Sequence, residues 1–279
     1  MSSFGESGPL LSVRRLCKHF PVLSKGLWRR PIGVVKACDE ISFELARGET
    51  LGIVGESGSG KSTLARTLLR VTRPTSGSAL FYADDPVDLA TLSESELWRV
   101  RSQIQMIFQD PFSSLNPRMT VEQIVGEPLL IHRRARGSEL QERVVGMLRR
   151  VGIRAEYRTR YPNAFSGGQR QRIGIARALI LEPTLVVADE AVSALDVSVQ
   201  AQIVNLLRDL QAELGLTYLF IAHDLAVVRH LARRVAVMTC GKIVELGETE
   251  QIFEDPQHDY TRRLLASVLS PDPDRPMLL

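Results

Sequence analysis

Apolar and polar positions change period along this chain, and each change marks a different kind of element. Leu10–Phe20 and Ile41–Leu45 alternate in part, so both read as strands. Between them Pro21, Gly26, Pro31 and Gly33 punctuate a long connection, which reads as a surface hairpin or loop. Leu51–Val54 is a continuous apolar run, the mark of a buried strand. Ser62–Arg70 follows with good helix formers and with Leu64, Leu68 and Leu69 on one side. Ser78–Tyr82, after the Pro74-Thr75-Ser76-Gly77 turn, and Ile104–Phe108 are further strands.

From about Val121 to Tyr161 the pattern turns helical. Leu140, Val144, Leu148 and Val151 fall on one helical face, and Gly152 closes that helix. Gly167–Ile180 is another helix, and Leu185–Ala188 an apolar strand of the kind buried in parallel sheets. Val199, Ile203, Leu206, Leu207, Leu210 and Leu214 form the inner stripe of the next helix. Tyr218–Ala222 and Arg234–Met238 are strands around a helix at Asp224–Leu231. This order predicts an α/β fold: a doubly wound core, an antiparallel N-terminal piece and a helical insertion. The Pro-rich end, Ser270–Leu279, reads as a loose tail.

Composition changes this picture little. The 279 residues suffice for one sizeable core with a subdomain, and 44% are hydrophobic. Net charge is only +3, and the clusters Arg29-Arg30 and Arg133-Arg134-Ala135-Arg136 lack interleaved aromatics, so no nucleic-acid partner is expected. Cys17, Cys38 and Cys240 are odd in number, far apart and without a C-x-x-C, which points to a reducing compartment rather than a disulfide or zinc framework. The N-terminus lacks the plan of a signal peptide and no apolar run is long enough to span a bilayer. Any membrane role is expected to run through a partner.

The chemistry concentrates in a few short stretches. Gly55-Glu56-Ser57-Gly58-Ser59-Gly60-Lys61-Ser62 matches G-x-x-x-x-G-K-[ST], and it sits between a strand and a helix, where its mechanism requires it. Glycines let the backbone turn its N–H groups toward an anion. Lys61 supplies charge to the β- and γ-phosphates, and the Ser62 hydroxyl can ligate Mg²⁺. A nucleoside triphosphate is the ligand this implies. Leu185–Glu190 is an apolar strand ending in two acids; Asp189 can hold Mg²⁺ through water and Glu190 can polarise an attacking water. Phe165-Ser166-Gly167-Gly168-Gln169 opens a helix whose N–H groups stay accessible to an anion.

Together with Gln109 after a strand, Ser193-Ala194-Leu195-Asp196 and His223, this ordered set resembles the ATP-binding subunit of an ABC transporter over nearly the whole chain. The resemblance implies a P-loop NTPase (RecA-like) core with an N-terminal antiparallel β subdomain and an inserted α-helical subdomain. It divides a single domain, 1–279, into five parts. Residues 1–90 are the antiparallel piece with the phosphate loop, 91–120 the core strand and Gln loop, and 121–166 the helical insertion. Residues 167–248 complete the α/β core, and 249–279 form a C-terminal helix and tail. It implies ATP and Mg²⁺ as cofactors, and nucleotide contacts from Gly55, Glu56, Ser57, Gly58, Ser59, Gly60, Lys61, Ser62 and Thr63. Phe20 would stack on adenine, where the family usually has Tyr. Ser62, Gln109 and Asp189 would serve the metal, and Glu190, His223, Gln109 and Lys61 would carry catalysis. Ser166, Gly167, Gly168 and Gln169 would cover the nucleotide of an opposite subunit, with Asp196 at the seam.

Phe108–Arg118, Phe165–Ile173 and His258-Asp259-Tyr260-Thr261 are similar to importers of dipeptides, oligopeptides and nickel, in their second type of ATPase subunit. Ala191 stands where peptide importers usually have Pro, as in some nickel-type members, and the chain stops soon after Thr261 without a cysteine-containing extension. Peptide and nickel importers therefore both stay open. The implied partners are a second, different ATPase chain, two integral-membrane permease subunits and an external solute-binding protein. The implied location is peripheral, on the cytoplasmic face of the bacterial plasma membrane. A non-transport ABC ATPase, an idle regulatory subunit and a small GTPase fit less well. The chain has one cassette without heptads, intact motifs, and no Asn-Lys-x-Asp. In the stretch after Gln109, Phe112, Leu115 and Met119 are apolar residues in a turn expected to be exposed; either they pack inside the insertion or some of them form a groove for a permease helix.

Overall fold

A computed structural model describes residues 8–24, 31–83, 85–110 and 114–268. Strands β1 (Pro9–Leu23) and β2 (Pro31–Ala46) form a long antiparallel ladder. They join β4 (Ser76–Phe81) and β5 (Val87–Asp88) in a four-stranded antiparallel sheet, ordered β2-β1-β4-β5. A six-stranded sheet holds the rest: β3 (Thr50–Val54), β6 (Ile104–Ile107), β7 (Leu185–Asp189), β8 (Thr217–Ile221), β9 (Arg234–Thr239) and β10 (Lys242–Glu248). Its order is β10-β9-β3-β8-β7-β6; every pair is parallel except the β9–β10 hairpin. β3, β7 and β8 are buried at every position, as strands covered on both faces must be.

Helix α1 (Lys61–Leu68) follows β3, and the short α2 (Glu94–Val100) precedes β6. The helical segment is α3 (Val121–Ile131) and α4 (Gly137–Arg150), then 3₁₀ turns at Ala155–Thr159 and Pro162–Ala164. Leu140, Val144 and Leu148 are buried on α4 as their spacing predicts, and Gly152 takes the left-handed conformation that ends it. α5 (Gly167–Leu179) leads into β7, α6 (Val197–Leu214) follows it, and α7 (Leu225–Leu231) is capped by Asp224, which accepts from the Ala226 N–H at 2.8 Å. α8 (Thr249–Glu254) and α9 (Asp259–Val268) close the described chain.

Two apolar cores result. One lies between the antiparallel sheet, α1 and one face of the six-stranded sheet. The other lies on the opposite face, shared by α3 to α7.

Of the two forms expected for the connection around Pro21 and Gly33, the chain takes the hairpin, with Phe20 opposite Val35, Pro21 opposite Val34 and Val22 opposite Gly33. One expectation is corrected. Leu115 is buried in the helical core and Met119 packs against it, so neither is an exposed apolar residue. Phe112 and the Ser270–Leu279 tail lie outside the described residues.

Candidate functional site

The site grows from the carboxyl end of the parallel sheet. After β3 the backbone must curl within a confined space. A Cβ on Gly55 would lie 2.0 Å from the Met238 carbonyl oxygen, and one on Gly60 2.0 Å from that of Ala37. Both glycines have positive φ, so no other residue fits there without moving main chain. α1 begins at Lys61 with no side-chain cap and no acid in its first turn, leaving the positive end of its dipole for an anion.

Lys61 is buried and turned back into its own loop. Its Nζ donates to the Gly55 carbonyl at 2.7 Å, the Glu56 carbonyl at 2.8 Å and Ser59 Oγ at 3.4 Å. Burial lowers its pKa, against the carboxylates of Glu190, Asp189 and Glu56, which raise it.

Three neighbouring strands deliver the other groups. Asp189 ends β7 and accepts a 2.9 Å hydrogen bond from the Ser62 hydroxyl on α1. Glu190 follows with φ 47°, an uncommon left-handed conformation for a side-chain-bearing residue, held by its N–H donating to the Ile221 carbonyl at 2.8 Å. Its carboxylate Oε2 accepts from Gln109 Nε2 at 2.8 Å and lies 3.3 Å from His223 Nδ1. Gln109 comes two residues after β6 and His223 two after β8, so the order β8-β7-β6 brings these side chains together.

They border a cleft of about 810 Å³ whose lining includes Phe20, Ser57, Gly58, Gly60, Lys61, Ser62, Thr63, Gln109 and Glu190. Phe20 is 39% exposed with the Lys18 ammonium 4.8 Å from its ring centroid, so it is a wall of the cleft and not a core aromatic. Gly55, Glu56 and Ser59 shape the loop, while Asp189 and His223 meet the cleft through Ser62 and Glu190. Ser166, Gly167, Gly168, Gln169 and Asp196 do not line it. Ser166 caps α5 in a reciprocal box with Gln169, a Cβ on Gly168 would meet Val199 at 2.5 Å, and Asp196 is the exposed first residue before α6, its side chain capping nothing.

Sequence reasoning missed the far wall: Val34, Val35, Lys36, Ala37, Cys240 and Gly241. Cys240 and Gly241 both have positive φ and form the two-residue turn of the β9–β10 hairpin. The Gly241 N–H donates to the Ser59 carbonyl at 2.9 Å and its carbonyl accepts from the Asp39 N–H at 2.8 Å. The Cys-Gly pair after an apolar strand was the available signal, but its contact with the loop is tertiary.

Asp189 is the most desolvated acid of the site. Burial raises its pKa, and the nearby Glu190 charge adds to this; Ser62, Arg66 and Lys61 oppose it. An acid whose folded pKa is raised destabilises the fold above that pKa and costs nothing below its unfolded pKa. Asp189→Asn keeps an acceptor for Ser62, so the nucleotide-free variant should melt higher than the parent near neutral pH. The gap should close as pH falls into the carboxylate range. Thermal melts across pH check this; a variant melting lower at neutral pH would show that the carboxylate stabilises the apo fold.

Comparison with known proteins agrees with this geometry. The ABC transporter family profile matches residues 38–193, and that of the oligopeptide/dipeptide transporter C-terminal region matches 244–278. The chain is 54% identical over 260 residues to the oligopeptide transport ATP-binding protein AppF of Bacillus subtilis (strain 168), covering 93% of this chain and 78% of that one. It is 53% identical over 270 residues to the glutathione import ATP-binding protein GsiA of Salmonella typhimurium, covering 97% of this chain but 43% of that longer protein. Among solved structures, the dimeric ATP-binding cassette MJ0796 bound to ADP and Pi superposes with TM-score 0.73 at 28% identity, over 86% of this chain and 98% of that one. CbiO1 from Clostridium perfringens, part of the transporter complex cbiONQ, gives TM-score 0.75 at 29% identity over 89% and 92%. Among the described residues no helix is long and apolar enough to cross a membrane. The chain belongs to the ABC transporter family, as one of its ATP-binding, ATP-hydrolysing cassettes.

Proposed function

We propose that this chain hydrolyses MgATP to power a membrane importer of oligopeptides or dipeptides. One observation carries the catalytic half of the reading. A phosphate loop, an acid on its Ser hydroxyl, and a second acid held between Gln109 and His223 converge on one cleft. The cargo half rests on the oligopeptide/dipeptide profile at 244–278 and on relatives named for oligopeptide and glutathione import.

The residues fit the nucleotide and its metal. The curl needs glycine at Gly55 and Gly60, where a Cβ would strike neighbouring main chain, and Lys61 could trade its loop carbonyls for phosphate oxygens. Ser62 and Asp189 would hold Mg²⁺, joined by Gln109, which would release Glu190 to do so. Bound Mg²⁺ would neutralise phosphate charge as the terminal phosphoryl group leaves. Glu190 would take the proton of the attacking water, and His223 would orient the carboxylate and reach the terminal phosphate. Ser166, Gly167, Gly168, Gln169 and Asp196, away from this cleft, would serve the nucleotide of a second, different ATPase chain. Two permease subunits and an external solute-binding protein would complete the complex, placing this chain peripherally on the cytoplasmic face of the membrane. Co-purifying the complex and measuring peptide uptake into ATP-loaded vesicles tests the whole. Uptake that no peptide competes with would refute the cargo.

Phe20 would stack on the adenine. Phe20→Ala should weaken ATP binding by about 1–3 kcal/mol, the worth of one stacking contact. Unchanged affinity in a calorimetric titration would mean that another residue holds the base.

The permease would dock between β6 and α3. A groove of about 290 Å³ there is lined by Leu69, Val71, Met106, Phe108 and Ile131, and Phe108 and Ile131 are both exposed. Phe108 directly precedes Gln109, so the docking groove and the amide that bonds the Glu190 carboxylate sit on one short segment. Ile131→Asp should release the chain from membranes that contain the permease while leaving ATP binding intact. Normal sedimentation with those membranes would place the docking surface elsewhere.

A further inference from the structure

A second cluster of chemically capable side chains lies on the antiparallel sheet, outside the nucleotide cleft. Lys18 stands opposite Cys38 in the β1–β2 ladder. The ladder shifts register on both sides of Lys18, and this irregular stretch brings together Cys17 and His19 of β1 and Asp39 of β2. A thiol sulfur, an imidazole nitrogen and a carboxylate oxygen there all lie within 4.8 Å of one another. Cys17 is buried, and Asp39 and His19 are largely covered, with side chains 13% and 25% exposed.

We propose that Cys17, His19 and Asp39 form a binding site for a divalent cation of the zinc class. His19 Nε2 is buried without a hydrogen-bond partner, 3.5 Å from Asp39 Oδ1. A ring nitrogen in that state is costly unless something accepts its lone pair or its proton. Cys17 Sγ already receives the Glu40 N–H at 3.3 Å, and Glu40 has φ 58° to aim it. The thiol in turn donates to the Arg15 carbonyl at 3.6 Å, the one contact that a bound metal would replace. Tetrahedral zinc, with bonds of about 2.0–2.3 Å, sets its ligand atoms about 3.3–3.8 Å apart, so the three groups need to close by roughly 1 Å. A mixed sulfur, nitrogen and oxygen set suits zinc and rejects Mg²⁺, which takes oxygen ligands. Lys36 and Lys242 compete for Asp39 through Oδ2, at 3.3 and 3.6 Å, but both are exposed and Oδ1 is the oxygen that faces His19. The bound ion would tie β1 to β2 beside the cleft. His19 precedes Phe20, and Asp39 is joined through Gly241 to the phosphate loop.

The test uses the reduced, metal-stripped full chain without nucleotide, titrated with Co²⁺ and then Zn²⁺. A thiolate-to-cobalt charge-transfer band should appear, saturate at one ion per chain, yield to Zn²⁺ and survive excess Mg²⁺. It should persist in Cys240→Ser and vanish in Cys17→Ser, while Asp39→Asn and His19→Gln should weaken binding at least tenfold. Circular dichroism shows whether each variant is folded; Asp39→Asn, which keeps its shape, decides if Cys17→Ser is not. Absence of the band in the parent chain, its survival in Cys17→Ser, displacement by Mg²⁺, or unchanged affinity in folded Asp39→Asn and His19→Gln overturns the proposal.

Discussion

Glu190→Gln is expected to lower MgATP turnover by roughly 10²-fold or more, the scale of losing a general base, while ATP binding persists. The substitution is close to isosteric. Its amide oxygen still accepts from Gln109, and the residue adopts the left-handed backbone as readily as Glu does. Only the charge that would draw a proton from water is lost. Two side effects can be followed separately. Lys61 loses one of the carboxylates that hold its pKa up, and Asp189 loses the neighbour that adds to its own elevation. Both changes are electrostatic and act on binding, so a titration of ATP affinity isolates them from the loss of turnover. If a pair of cassettes closes on nucleotide and reopens on hydrolysis, as the proposed function requires, the closed assembly should accumulate and be visible by size. Steady-state hydrolysis near the parent rate in the assembled complex would remove Glu190 from the base role.

The phosphate loop was legible because all its determinants are local: an apolar strand, glycines at fixed offsets, a Lys-Ser pair and a helix within twenty residues. Asp189 and Glu190 were legible for the same reason, since a strand delivers its last residues to the sheet edge whatever surrounds it. How far the ladder runs past Phe20, through Pro21 and Gly33, was not. β1 pairs with β4 only as far as Cys17, so beyond it β1 has one neighbour, and a residue without an N–H costs the sheet little there. Leu115 and Met119 misled because a stretch that follows Gln109 looks exposed in sequence, whereas both residues pack on the helical core. α2 buries only Leu97, too little for a helical stripe, although the capping box of Ser93 and Glu96 announced it. The far wall of the cleft is assembled from β2 and the β9–β10 turn, some two hundred residues apart, and no periodicity links them.

Ser166→Arg is expected to abolish turnover of the assembled transporter while the isolated chain binds ATP with unchanged affinity. The split follows from where Ser166 lies. It caps α5 and is not among the residues that line this chain's own cleft, so the substitution leaves that lining unchanged. If the N-terminus of α5 faces the nucleotide of an opposite cassette, the guanidinium occupies the space of its terminal phosphate and keeps the two chains apart. A trivial explanation has to be separated out. Ser166 belongs to a capping box with Gln169, and losing such a cap costs about 1 kcal/mol in helix stability. Ser166→Ala pays that same cost without the bulk. The composite-site reading therefore requires Ser166→Ala to retain much more activity than Ser166→Arg at equal thermal stability. Equal losses in the two variants would assign the effect to the cap. Full activity in the Arg variant would mean that no second subunit presents this helix to a nucleotide. A partner that is a different ATPase chain adds one more requirement. The Arg substitution in this chain should silence the partner's nucleotide site, and the equivalent change in the partner should silence the cleft at Lys61. Trapping labelled nucleotide separately at each site distinguishes that crossed pattern from a loss confined to the mutated chain, which would refute it.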